Sequence, residues 1–193
     1  MDYKQMREQL KSRLKPSRFL HSEGVAETAA FLGERFQLDI EQCRVAGLLH
    51  DCARQYSDKQ LQAEADRRGI SYGDVDKAMP LLLHAYIGAS LVKEDYGVTD
   101  QAICQAIFRH TVGGAGMTEL DKVIYFADMI EPNRDYPQVE ELRRLSRLAS
   151  LDEMFFAGLV QSLNFVLKKG SLVHPDTVTA YNEILLKRAE LNG

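Results

Sequence analysis

The sequence is short of cysteine, of basic surplus, of long apolar runs and of alternating patterns, and each shortage removes a class of protein. Three cysteines in 193 residues, Cys43, Cys52 and Cys104, form no paired motif, which excludes a disulfide framework and fits a reducing, cytoplasmic setting. Lys and Arg number 24 against 28 Asp and Glu, and the resulting net charge of −4 argues against a nucleic-acid coat. The longest apolar-leaning run, Ala78 to Val92, carries Pro80, His84, Tyr86 and Ser90 and is too short and polar to span a bilayer. The opening Met1-Asp2-Tyr3-Lys4 begins a charged amphipathic stretch without the apolar core of a signal peptide. No internal repeat, low-complexity segment or linker-like run occurs. No alternation of apolar and polar residues is long enough to build a sheet.

What is present is helical periodicity, in a chain whose 45% apolar and 27% charged composition is that of a globular protein. Tyr3, Met6, Leu10 and Leu14 form a stripe that stops before Pro16. Ser17 reads as the cap of a helix to about residue 36, and Asp39 as the cap of one from Ile40 to about Cys52. Ser57-Asp58-Lys59-Gln60 is a capping box opening a helix that Gly69 ends. A turn is expected from Ser71 to Pro80, then a helix from Leu81 to about Tyr96. Thr99 reads as the cap of the next helix, to Arg109, and Thr118 as the cap of one reaching Ile130. Helices follow at about 138–149 and 151–169, and Pro175 suits the first position of a last one. The expectation is an all-α, single-domain chain of roughly nine or ten helices.

Chemistry must come from titratable groups. His50-Asp51 ends the apolar run Val45-Ala46-Gly47-Leu48-Leu49, where a buried ionisable pair is costly unless paired or bound to a cation. His21, His84, His110 and Asp128 each sit in a different apolar helical segment. Each alone reads as an ordinary core or surface residue, but the ordered set in an all-α chain points to a metal held between helices. Cys52 lacks a paired base and reads as core, as do Tyr86 and Tyr125. The Gly113–Gly116 loop has no lysine and serine of a phosphate-binding P-loop and reads as a flexible cover. Arg109 reads as a solvated surface arginine.

The order His21, His50-Asp51, His84, His110, Asp128 resembles the HD superfamily of metal-dependent phosphohydrolases, an all-α fold. The stretches Arg18-Phe19-Leu20-His21, Gly47-Leu48-Leu49-His50-Asp51 and Phe126-Ala127-Asp128-Met129-Ile130-Glu131-Pro132-Asn133-Arg134, with His174-Pro175, resemble its bacterial YqeK branch, over about residues 18–182. The resemblance implies symmetrical hydrolysis of diadenosine tetraphosphate to two ADP by a metal-activated water. It implies that His21, His50, Asp51 and Asp128 hold the main metal, usually iron. Manganese or another divalent ion suits the same two imidazoles and two carboxylates, and one or two ions fit.

His84 and His110 then either hold a second metal bridged by Asp51, or bind phosphate oxygens while one protonates the departing ADP. Arg18 and Arg134 are the phosphate-fork candidates. Asp51, Leu83, His84, His110 and Thr111 complete the expected substrate contacts. His174 caps the last helix or touches substrate. A homodimer is compatible with this reading, with a nucleotide as partner and neither nucleic acid nor membrane. Two alternatives stay open: an HD hydrolase of another nucleotide, such as a deoxynucleotide or guanosine polyphosphate, and a non-catalytic nucleotide or metal sensor.

Overall fold

The computed structural model describes residues 1–192, and among them the chain is helical throughout, without a strand. The helices are α1 (Tyr3–Arg13), α2 (Pro16–Arg35), α3 (Ile40–Leu49), α4 (Asp58–Arg67), α5 (Asp74–Ala78), α6 (Leu83–Tyr96), α7 (Gln101–Arg109), α8 (Glu119–Ile130), α9 (Val139–Leu148), α10 (Leu151–Lys168) and α11 (Pro175–Asn192). Short 3-10 turns occupy Cys52–Gln55 and Pro80–Leu82.

The count exceeds the expectation because α5 fills the span read as a turn. It is five residues long, too short to show a period, and the buried Asp76 anchors its start by accepting from the Gly73 N–H at 2.9 Å. Two caps also differ. Pro16 itself begins α2, since its missing N–H costs nothing at the first helical position. Asp100, rather than Thr99, caps α7, its carboxylate accepting from the Ala102 N–H at 2.8 Å.

α2 lies against α3 and α8, α6 against α7, and α8 against α10, around a core that includes Leu32, Leu48, Leu49, Ile87, Ile107 and Phe126, all without exposed surface. A smaller cluster of Tyr125, Phe155, Leu159 and Ala180 joins α8, α10 and α11. The α2–α3 contact is backbone to backbone at Gly47, where a Cβ would lie 2.9 Å from Ala26 Cα and 3.0 Å from the Val25 carbonyl oxygen. Only a residue without a side chain permits that approach, and the approach brings the histidines of the two helices together.

Candidate metal centre

The site forms where α3 stops. The helix ends at Leu49, His50 keeps αR geometry, and Asp51 leaves it at φ −103°, ψ 17° to start the 3-10 turn. Neighbouring residues on a continuous helix diverge by about 100° and could not share a centre. The early exit, earlier than the end near Cys52 expected from sequence, turns both groups inward, with His50 Nε2 3.5 Å from Asp51 Oδ2.

His21 from α2 and Asp128 from α8 meet this pair. His21 Nε2 lies 3.0 Å from Asp128 Oδ1, 3.2 Å from His50 Nε2 and 3.7 Å from Asp51 Oδ2. The other oxygen of Asp51 serves a second pair: Oδ1 is 3.1 Å from His84 Nε2 and 3.8 Å from His110 Nε2, and those two nitrogens are 3.0 Å apart. The Thr111 hydroxyl is 3.0 Å from His110 Nε2. All four imidazoles and Asp51 are buried, while Asp128 keeps its side chain 21% exposed toward solvent.

The tautomers follow from the second ring nitrogen. His50 Nδ1–H donates to the Gly47 carbonyl at 2.7 Å, His110 Nδ1–H to that of Ile107 at 2.7 Å, and His84 Nδ1–H to that of Leu81. His21 Nδ1–H donates to Glu131 Oε1 at 3.0 Å. In the neutral rings the Nε2 lone pairs therefore face one another at contact distance with carboxylate oxygens between them. Such a set of acceptors is repulsive unless protons or a cation sit among them. Three overlapping trios, His21–His50–Asp51, His50–His110–Asp128 and Asp51–His84–His110, each bring donor atoms within 4.8 Å of one another. The donors fit a divalent metal, with the outer hydrogen bonds that fix imidazole ligands already in place.

Electrostatics agree. Burial opposes ionisation of Asp51, but His50, His84 and His110 around it hold its carboxyl well below the usual range. Burial likewise opposes Asp128, and the His21 hydrogen bond, His50 and Arg134 hold it low. Burial pulls the His50 imidazole down, and burial with His84 and His50 pulls His110 down to about 3. His21 is the exception: burial pulls it down, yet its bonds to Asp128 and Glu131 leave it raised.

The expected arginines stand at the rim. Arg18 Nη1 donates to Asp51 Oδ2 at 2.8 Å, and Arg134 grips both the carboxylate and, at 2.7 Å, the carbonyl of Asp128. Leu83, expected among the substrate contacts, has no exposed surface and belongs to the core. His174 Nδ1 accepts from the Asp176 N–H at 3.1 Å, the capping role, while its Nε2 faces Asp76 and Tyr86. The glycine loop is tied down at Gly116: Arg109 donates to the Gly116 carbonyl, and the Gly116 N–H donates to Glu183. Arg109 is correspondingly no solvated surface residue, because it also pairs at 3.1 Å with the fully buried Asp121.

One functional residue was not assigned a role from sequence. Glu131, 1% exposed, orients His21, and its other oxygen accepts from the Asn133 backbone and amide. Its signal was an acidic residue at the end of α8, where the helix dipole disfavours a negative charge. Arg143 of α9 secures that turn by donating to the carbonyls of Ile130, Glu131 and Arg134 at 3.0, 2.7 and 2.8 Å.

Helices that each contribute one inward imidazole or carboxylate to a buried centre define an all-α metal-site architecture, and comparison with known proteins supplies the family. The HD domain family matches residues 18–133, and the chain belongs to that family. It is 36% identical to the symmetrical bis(5'-nucleosyl)-tetraphosphatase of Halalkalibacterium halodurans, over 93% of this chain and 95% of the relative. It is 38% identical to the protein of that name in Bacillus subtilis, over 90% and 92% of the two chains. A crystal structure from Clostridium acetobutylicum, described as an HD superfamily hydrolase involved in NAD metabolism, superposes with a TM-score of 0.92 at 33% identity, covering 97% of this chain and 98% of that one.

Proposed function

We propose that this protein is a metal-dependent phosphoanhydride hydrolase that cleaves diadenosine tetraphosphate symmetrically into two ADP. Relatives at 31–38% identity over about nine-tenths of the chain bear the corresponding name. The observation that carries the reading is the Asp51 carboxylate, whose two oxygens each face a pair of imidazole Nε2 atoms.

His21, His50, Asp51 and Asp128 would hold the metal, for which we propose iron. Bound there, it supplies charge neutralisation at phosphorus and water of lowered pKa. Asp51 and Asp128 together balance a divalent charge, whereas His84 and His110 share only the second oxygen of Asp51. We therefore read one ion per chain and assign that second pair to the substrate. Water oxygen bonds to one of the two central phosphorus atoms, and the bond from that phosphorus to the bridging oxygen breaks. The bridging oxygen leaves with the other ADP and takes a proton.

His84 is placed to hold that proton, its Nε2 hydrogen-bonded to Asp51 Oδ1, while His110 stays neutral and accepts from the Thr111 hydroxyl. Arg18 and Arg134 offer guanidinium forks to phosphate oxygens. The three cysteines are free and buried, in keeping with a cytoplasmic enzyme, and no helix among the described residues is long and apolar enough to cross a membrane. The test is the identity of the nucleotides released from diadenosine tetraphosphate: ADP alone is expected.

A further inference from the structure

The substrate of the proposed reaction has two equal halves, each an adenosine diphosphate. Arg18 and Arg134 each sit on a carboxylate of the metal set, so they belong with the half whose phosphorus is attacked. The departing half carries as much negative charge and needs a cation of its own.

Arg54 stands near the same carboxylates and has no bonded side-chain partner among the described residues. It lies in the 3-10 turn that Asp51 begins, its N–H donating to the Asp51 carbonyl at 2.9 Å. Side chains three apart on such a turn eclipse one another, so Arg54 projects on the Asp51 side, while Cys52 and Ala53 between them are wholly buried in the core. Its electrostatic neighbours are Asp51, Arg18, Asp128 and Asp58, and burial lowers its pKa. Its guanidinium is half-buried yet, unlike those of Arg18 and Arg134, enters no ion pair or hydrogen bond among the described residues. A half-buried charge without a partner is a cost unless a ligand meets it.

We infer that Arg54 binds the diphosphate of the departing nucleotide and so helps select substrates with a nucleoside diphosphate leaving group. This rests on the hydrolase reading above. The experiment compares the unaltered protein, Arg54→Gln and Arg54→Lys on diadenosine tetraphosphate and on the 4-nitrophenyl ester of ADP. In that ester water attacks the same phosphorus, but nitrophenol leaves instead of a diphosphate. Arg54→Gln is expected to lower kcat/KM for the tetraphosphate roughly 10- to 100-fold, the scale of one charged hydrogen-bonding group. The loss on the ester is expected to be smaller by about tenfold or more, and Arg54→Lys to fall between Gln and the unaltered protein. Equal losses on both substrates, or none on the tetraphosphate, would overturn the assignment. Unaltered protein that releases no ADP from the tetraphosphate would instead overturn the hydrolase reading, and this assignment with it.

Discussion

Glu131 shows how a single side chain outside the metal set governs it. A carboxylate at the C-terminal end of α8 is disfavoured by the helix dipole, and this one is also almost wholly buried. It is held there by Asn133 and by the His21 N–H, and Arg143 fixes the turn that presents it. The carboxylate makes His21 a better donor by accepting its Nδ1 proton. Glu131→Gln keeps an acceptor but removes the charge, so metal affinity should fall toward the lower end of the usual range for such outer partners, about tenfold. A metal titration with unchanged Kd would contradict the role. At this scale the inward-facing histidines and aspartates were legible, because polar residues in apolar helical runs stand out. Glu131 was not, because a residue's hidden partner is set by the tertiary fold and leaves no periodic trace.

At the scale of elements, the decisive features are the end of α3 and its contact with α2. Val45 to Leu49 read as one continuous helix through Cys52, yet the helix yields at Asp51. Satisfying the His50 and Asp51 groups at one centre outweighs another turn of helical hydrogen bonds, a tertiary preference that helical period does not encode. Capping boxes at Ser57, Thr118 and Ser150 were readable or consistent with the expected starts, since they depend on residues three apart. The five-residue α5 was invisible for the opposite reason. Gly47 supplies the prediction here. Replacing it with alanine gains up to about 1 kcal/mol of helix propensity, but overpacking against fixed backbone costs about 1–3 kcal/mol. The clash is with Ala26 and Val25 backbone atoms at 2.9 and 3.0 Å, which cannot rotate away. Gly47→Ala should therefore lower Tm and, by moving α2, weaken metal binding through His21. A variant with an unaltered or raised Tm would contradict the close-approach argument.

For the molecule as a whole, net charge −4 and the proposed polyanionic substrate are compatible because positive charge is local: Arg18 and Arg134 stand on the site's carboxylates, which a cation would neutralise, and Arg54 lies near the same groups. The same buried groups set the pH dependence of stability. In metal-free protein His50 is pulled below 6.5 and His110 to about 3, whereas the unfolded chain protonates both near 6.5. The unfolded state then binds more protons, so their contribution is complete above about 6.5 and is lost as pH falls toward 3. His21, raised, works the other way: its contribution is present below about 6.5 and lost as pH rises through its folded value. With two groups against one, and with Asp51 and Asp128 adding further loss below about 4, Tm of metal-stripped protein should fall from about pH 6.5 downward. A Tm that rises over that interval would contradict the burial of these imidazoles in their neutral form.

In the proposed reaction His21, His50, Asp51 and Asp128 would hold one metal beside the water that attacks a central phosphorus of a dinucleoside tetraphosphate. The most direct measurement is chromatography of the nucleotides released from diadenosine tetraphosphate by protein whose metal content has been determined. ADP as the sole nucleotide product, with one metal per chain, is the expected result. ATP together with AMP, or no turnover by metal-loaded protein, would contradict it.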